Sequence, residues 1–370
     1  VSYFQAIVLA LVQGFTELFP VSSLGHSVLV PAWIGGSWQT LVTQSAQENS
    51  ATSFYLSFIV ALHVGTALAL LWFFRADWIR IVVGFVRSAR RSVRERAFTV
   101  RDSDEKLAWM IVFATIPVGL TGVTLEHAFR TLLAKPLAAG IFLCINGLIL
   151  LAGERARRRA VERGTTIGRT PVGGRERRAA APIAGGSPEA DDDDDPSGGP
   201  TPASRSRSRS RGDAARAGRR AAPLASQRGS RSLDELAEAY ASDARISQMP
   251  YRDAVYVGLF QIGALLAGIS RAGVTMVGGL WRGLDHEDAA RFAFLLATPV
   301  ILAAGVLKLP DLFGSGGAHV RGQAAVGMVV TGIAAYISVR FLVRWFRYRT
   351  LTPFAIYCLI FGGASIIRFA

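Results

Sequence analysis

The sequence predicts an all-α integral membrane protein built as an inverted repeat, with six transmembrane helices plus two re-entrant helix-loop-helix hairpins. Three observations lead there. Six apolar runs, at about 53–74, 107–126, 136–154, 290–309, 322–342 and 352–368, are each long enough to cross a hydrocarbon core of roughly 30 Å. Two more apolar regions, 3–33 and 252–281, are broken by Gly, Ser and charged residues. Backbone that leaves a helix at membrane depth is tolerated only where protein buries it or a wet cavity receives it, so both regions read as re-entrant hairpins. Finally, each half holds one hairpin followed by three spans, an odd number of crossings, so the second copy enters the membrane upside down.

The halves also match residue by residue. "VQGFTELFPVSSLGH" (12–26) laid over "FQIGALLAGISRAGV" (260–274) pairs Gln13 with Gln261, Ser22 with Ser270 and Gly25 with Gly273. Further on, "RTLLAKPLAAGIFLCINGLIL" (130–150) echoes "RTLTPFAIYCLIFGGASII" (349–367). The chain therefore divides into an N-terminal membrane repeat at 1–155, a central segment at 156–249 and a C-terminal inverted membrane repeat at 250–370. The central segment contains "RARRRA", "DDDDD" and "SRSRSRSR"; with so little apolar surface to offset its ordering entropy it reads as a disordered cytoplasmic loop, with one short helix at 233–240 capped by Ser232.

Composition agrees. Over 370 residues, 51% hydrophobic content with a net charge of +14 fits a membrane protein with basic cytoplasmic segments and argues against a nucleic-acid binder. The N-terminus lacks a basic n-region and its apolar stretch carries polar groups, so it does not read as a cleavable signal peptide. Cys144 and Cys358 both fall in expected spans, which argues against a disulfide framework. Nine Arg/Lys in the loop 75–106, "RARRR" after the third span and Arg340, Arg344, Arg347 and Arg349 before the last span all fall on one side of a six-span chain. The loops around 127–135 and 310–321 carry two and one. The basic side is cytoplasmic, which places both termini outside.

Two polar constellations carry the chemistry. The first is Gln13, Glu17, Ser22, Ser23 and His26. A carboxylate at bilayer depth costs about 2.5–3.5 kcal/mol even on gentle insertion scales, so Glu17 needs a reason to be there. Gln13 and Glu17 stand i and i+4 and share one helix face. Pro20 then breaks the helix, and the "VSSLGH" loop offers hydroxyls, backbone N–H groups and an imidazole. A carboxylate paired with a basic residue to fix helix packing is the plainer reading of Glu17, and a satisfied structural histidine the plainer reading of His26. Five such groups within 14 residues weaken both.

The second constellation is "AGISRAGVT", 267–275. Gly268, Ser270, Gly273 and Thr275 let backbone approach a ligand closely, and Arg271 presents a planar fork suited to phosphate oxygens. Small-residue helix packing explains the glycines but leaves Arg271 without a purpose. Together the two stretches supply an anion cradle, a nucleophile or base, and a carboxylate–amide pair, Gln13 with Glu17, able to hold a divalent cation of the Mg²⁺ or Ca²⁺ type. Phosphoryl transfer needs such equipment, and hairpins set in a membrane point to a phosphate carried on a lipid.

At these residues the sequence resembles the undecaprenyl-diphosphate phosphatases, the BacA-type membrane enzymes linked to bacitracin resistance. The family's signatures, (E/Q)xxxE followed by PVSSxGH, and PGxSRSxxT, stand here as "QGFTE" with "PVSSLGH" and as "AGISRAGVT". The resemblance covers about 1–155 and 250–370 and includes "FATIPVGLTG" and "TPFAIY". It implies hydrolysis of undecaprenyl diphosphate to undecaprenyl phosphate and inorganic phosphate, recycling the lipid carrier for cell-wall synthesis. It also implies a multi-pass protein of the bacterial plasma membrane with its site facing the extracytoplasmic side. By position, Glu17 would be the essential carboxylate, Gln13 its metal-site partner, Ser23 the nucleophile and His26 a proton-transfer assistant, with Ser22, Gly268, Ser270, Arg271 and Thr275 around the phosphates. Ala267 stands where the family has proline, and Ala272 replaces the second serine of SRS, removing a hydroxyl near the phosphates. An inverted repeat with broken helices is also a transporter architecture, so a flippase that moves the lipid phosphate without hydrolysis is the alternative; a Ser23–His26 pair beside Glu17 is what transport would not need. The sequence leaves open whether Ser23 or a metal-bound water attacks, and leaves the oligomeric state open, a homodimer included.

Overall fold

The computed structural model describes residues 1–39, 54–133, 135–164, 237–313 and 321–370, and every regular element among them is helical. Val1–Arg169 and Ala241–Ala370 form one compact unit; a second unit, Thr170–Tyr240, is described only at 237–240, which are helical. The bulk of the expected central loop, the "DDDDD" and "SRSRSRSR" runs and the Ser232 cap lie outside the described residues.

The first hairpin comprises α1 (Tyr3–Thr16) and α2 (Ser23–Ile34). A capping box starts α1: the Ser2 hydroxyl accepts from the Gln5 N–H at 3.1 Å while the Ser2 N–H donates to the Gln5 side chain at 2.8 Å. Then come α3 (Phe54–Phe73), α4 (Arg75–Glu95), α5 (Ser103–Leu133) and α6 (Pro136–Glu162). The second hairpin comprises α7 (Tyr251–Phe260), a 3₁₀ turn (Gln261–Leu265) and α8 (Arg271–Trp281), followed by α9 (His286–Phe313), α10 (Arg321–Trp345) and α11 (Thr352–Phe369). Among the described residues, four helices, α6, α9 over His286–Leu307, α10 and α11, are long and apolar enough to cross a membrane. A fifth crossing is added if α3 and α4, bent by 84° at their junction, count as one broken span.

Two expectations need correction. The basic segment 75–106 is not a loop, because α4 occupies most of it. One face of α4 is apolar and the other charged, and the charged face is used inside the protein. Arg80 binds Asp77 at 2.6 Å, Asp243 at 2.7 Å and Asp104 at 2.8 Å, while Arg291 binds Asp243 at 2.8 Å and Asp77 at 3.0 Å. A net-basic count cannot reveal that Arg80, Arg87, Arg91 and Arg101 of this segment have acidic partners. The second correction concerns the ends of the segment 156–249. Helix α6 runs on to Glu162, and residues 241–248 are helical, with Ile246 and Met249 fully buried and Arg245 held by Asp288 at 2.7 Å. A few apolar side chains beside a long polar tract were enough to dock this stretch.

The helices associate in exchanged pairs. The first hairpin's α1 lies against α10, and the second hairpin's α7 lies against α5. Between them α3 packs on α9 and α10, and α6 packs along α11. One large apolar cluster, including Leu70, Leu107, Leu150, Phe292 and Phe346, fills the centre.

Candidate functional site

Each hairpin breaks where the sequence demands it. Helix α1 ends at Glu17, whose N–H still reaches the Gln13 carbonyl at 2.9 Å. Pro20 lacks an N–H and cannot continue the ladder. Ser22 restarts the chain as the N-cap of α2, its hydroxyl accepting from the Gly25 N–H at 3.2 Å. Its φ of 69° is in the left-handed region, which a residue with a β-carbon enters at a cost.

Ser22 also reaches the other hairpin, accepting the Gly268 N–H at 3.2 Å. Gly268 has φ 117°, and a β-carbon there would sit 2.6 Å from the Ala139 carbonyl oxygen, so only glycine fits. Ser270 repeats the pattern as the N-cap of α8, accepting from the Gly273 N–H at 3.2 Å and donating to the Phe19 carbonyl at 3.3 Å. Asn146 on α6 joins the two loops, donating to the Pro20 carbonyl at 3.0 Å and accepting the Ser270 N–H at 2.9 Å. The two helix breaks are thus laced together, with the N-termini of α2 and α8 at one place.

Glu17 is the hub, buried to 8% exposure. Its Oε2 accepts from the Gln13 Nε2 at 2.9 Å and from the Ser23 hydroxyl in a short hydrogen bond. Arg271 opens α8 in the facing loop. Its Nε and Nη1 are buried and have no hydrogen-bond partner among the described residues, and neither has Gln13 Oε1. Buried N–H donors without a partner are costly, so a half-buried arginine held this way can take an anionic ligand.

The structure does not bring every expected residue to this point. His26 does not bond to Ser23: its Nδ1 lies 2.7 Å from the Ser22 carbonyl oxygen and its Nε2 2.7 Å from the Tyr357 hydroxyl. The ring packs against both Tyr357 and Phe361, at centroid distances of 5.7 and 5.3 Å. Three residues of spacing brought Ser23 and His26 into one loop, but the first turn of α2 points their side chains apart. The Thr275 hydroxyl donates to the Arg271 carbonyl at 2.7 Å within its own helix. Ala272 is packed in the main apolar cluster and Ala267 in a smaller one with Val21, Leu29 and Leu143, so both departures from the family pattern fall on packed positions.

Two residues that motif reading missed complete the site. His63 on α3 puts its Nε2 3.4 Å from Glu17 Oε2. Asn146 is the polar residue of "IFLCINGLIL" that ties the loops. Each is a polar side chain inside an otherwise apolar run, which is the signal that could have found it.

A family model described as bacitracin resistance protein BacA matches residues 6–174 and 227–364, which include every residue of the two loops. The chain belongs to the BacA family. Among curated relatives, undecaprenyl-diphosphatase 2 of Frankia alni is 53% identical over 369 residues, covering 100% of this chain and 98% of the relative. The undecaprenyl-diphosphatase of Mycolicibacterium paratuberculosis is 47% identical over 369 residues, with the same two coverages. Undecaprenyl-diphosphatase 2 of Burkholderia ambifaria is 35% identical over 360 residues, covering 96% of this chain and 93% of the relative. The family match spans both hairpins and so includes Glu17, Ser23 and Arg271.

Proposed function

We propose that the protein hydrolyses undecaprenyl diphosphate to undecaprenyl phosphate and inorganic phosphate in the bacterial plasma membrane. The observation that carries this reading is the Ser23 hydroxyl donating to Glu17 Oε2 beside an arginine whose buried donors lack a protein partner. Transport alone is not favoured, since moving an intact lipid gives a serine–carboxylate pair nothing to do.

The chemistry follows from those groups. Arg271 binds the terminal phosphoryl oxygens, and the N–H groups at the starts of α2 and α8 add a positive field. Ser23 Oγ attacks the terminal phosphorus as Glu17 takes its proton, and the bridging P–O bond breaks with its electron pair leaving on the lipid phosphate. Water then attacks the phosphoserine. The P–Oγ bond breaks, Ser23 recovers its proton from Glu17, and the released phosphate keeps both hydrogens of the water. His26, held by Ser22 and Tyr357, orders the loop that carries Ser23.

A divalent cation fits the donor set. Gln13 Oε1 is a buried acceptor without a partner, next to the Glu17 carboxylate. No cluster of three or more His, Cys, Asp or Glu able to ligate occurs among the described residues. A cation held by Gln13 and Glu17 would therefore need ligands from substrate oxygens and water, which suits Mg²⁺ or Ca²⁺. When bound it would neutralise charge on the diphosphate.

The fuller architecture belongs to the same reading: six spans plus two re-entrant hairpins, related as an inverted repeat. Exchanged packing of α1 on α10 and α7 on α5, and matching serine caps, support it. Basic residues in the last turns of α6 and just before α11 line one cleft, Arg157, Arg347 and Arg349 among them, which supports a shared cytoplasmic side and a site open to the other.

The test is phosphate release from undecaprenyl diphosphate by the purified protein in detergent, with and without chelator. Release that falls on chelation and returns with Mg²⁺ or Ca²⁺ is expected. No release in either condition from folded protein overturns the reading; release indifferent to chelator overturns the cation.

A further inference from the structure

The hairpins make no use of the arginines that gather where α10 ends. Phe341, Arg344, Trp345, Tyr348 and Arg349 line an open recess of about 430 Å³ there. The basic cleft described above is its neighbour and shares Tyr348 and Arg349, but its charges are already matched. In that cleft Glu287 holds Arg347 at 2.9 Å, and Arg157 donates to the Leu284 carbonyl at 2.9 Å. The recess has no acidic residue along its lining. Among the described residues, no hydrogen bond or ion pair engages the guanidinium of Arg344 or of Arg349.

Aromatic rings back these two cations. Trp345 packs on Phe341 and Phe354, with ring centroids 5.6 and 5.7 Å apart. Its indole N–H donates to the Thr350 carbonyl at 3.3 Å, which fixes the orientation of the ring. The Arg349 guanidinium stands 6.0 Å from the same ring's centroid. Tyr348 is 87% exposed at the rim. Back along α10 from the recess, Phe341, Ile337 and Ile333 follow at four-residue steps, so they run along one side of the helix, and all three are exposed. The surface therefore has a cationic end, an aromatic neck and an apolar stripe.

That order of parts selects among ligands. Any lipid can cover the stripe, but a zwitterionic headgroup brings its own cation to its phosphate and gains less from two arginines. A soluble phosphate would pair with the arginines and leave the rings and the stripe unused. A phospholipid with an uncompensated phosphate uses all three: planar forks for its oxygens, aromatic rings at headgroup depth and a hydrocarbon surface for its chain.

We propose that this recess binds the headgroup of an anionic phospholipid, with Arg344 and Arg349 on its phosphate and an acyl chain along Phe341, Ile337 and Ile333. None of these residues belongs to either hairpin, and the inference does not depend on the phosphatase reading.

The test places the full-length protein in phosphatidylcholine vesicles that contain brominated phosphatidylglycerol or, at the same fraction, brominated phosphatidylcholine. Brominated chains quench tryptophan on contact. In wild type the phosphatidylglycerol should quench more, by an amount that corresponds to a preference of about fivefold or more, the scale of one interfacial arginine. The excess should vanish in Trp345→Phe, which removes the reporter and keeps a ring. It should also vanish when Arg344→Gln and Arg349→Gln are combined, which keeps the reporter and removes the charges. Equal quenching by the two lipids in wild type overturns the proposal, and so does an excess that survives in either variant. Sodium phosphate added against sodium chloride at matched ionic strength separates lipid from free anion. The excess should be the same in both salts; its loss in phosphate alone makes this a free-phosphate site, and the proposal falls. If the double variant aggregates on size exclusion, Arg344→Gln decides alone: it should at least halve the excess, and an unchanged excess overturns the proposal.

Discussion

The two hairpins are the same device carrying different chemistry. Ser22 and Ser270 both cap the helix that follows, each accepting a glycine N–H three residues on at 3.2 Å, and each reaches across to the other loop. At the positions where the first hairpin has Glu17 and Ser23, the aligned second hairpin has Leu265 and Arg271. One loop supplies an acid and a hydroxyl, the other a cation. Even the backbone differs: Ser22 sits at φ 69°, while Ser270 is relaxed at φ −86° with the unusual angle moved to Gly268. Repetition therefore accounts for how the loops close on each other, and divergence accounts for the site. Neither hairpin has a complete set of groups by itself.

That comparison breaks most visibly at the charges. Glu17→Leu, which gives the first hairpin the second's residue, should lower phosphate release by at least about 100-fold, and Arg271→Ala should do the same. Arg271→Lys should recover only part, because a point charge does not replace a planar fork. Turnover near normal in folded Glu17→Leu would end the assignment. Next is Ser23→Ala, expected to remove nearly all turnover and the acid-stable phosphate trapped on wild-type protein by rapid quench. A substantial metal-dependent rate in that variant, with no trapped phosphate on wild type, would transfer the attack to water.

The two aligned glutamines sharpen the contrast. Gln13 bonds Glu17, whereas both side-chain polar atoms of buried Gln261 lack a partner among the described residues. Gln13→Leu should cut kcat by roughly tenfold. Gln261→Leu should leave activity intact and raise stability by about 1 kcal/mol or more, measured by thermal unfolding in detergent, because an unpaired buried amide is replaced by an apolar group of similar size. Marked loss of activity in Gln261→Leu would reveal a role that the first hairpin does not predict.

The smallest effects belong to the caps. Ser22→Ala and Ser270→Ala should each destabilise by about 1–2 kcal/mol, since each hydroxyl caps its own helix and also bonds to the other hairpin. A loss near zero at either site would mean that its cap and its cross-hairpin bond add nothing. Thermal unfolding measures both.

The sequence by itself determined the helical membrane class, the two broken hairpins and the identity of most polar groups in the site. Those features rest on local rules: run length, a proline that ends a helix, and the cost of a carboxylate in an apolar stretch. It misjudged 75–106, because counting arginines says nothing about whether Asp77, Asp104 and Asp243 will meet Arg80 and Arg291 from different elements. It paired Ser23 with His26 on spacing, although the turn of α2 sends one side chain to Glu17 and the other to Tyr357 on α11. His63 and Asn146 were visible as lone polar residues but silent about their partners, which lie on other helices. Only the tertiary structure decided those partners, because hydrogen bonds between helices depend on each helix's rotation and its depth among its neighbours, and no spacing along one chain segment encodes either.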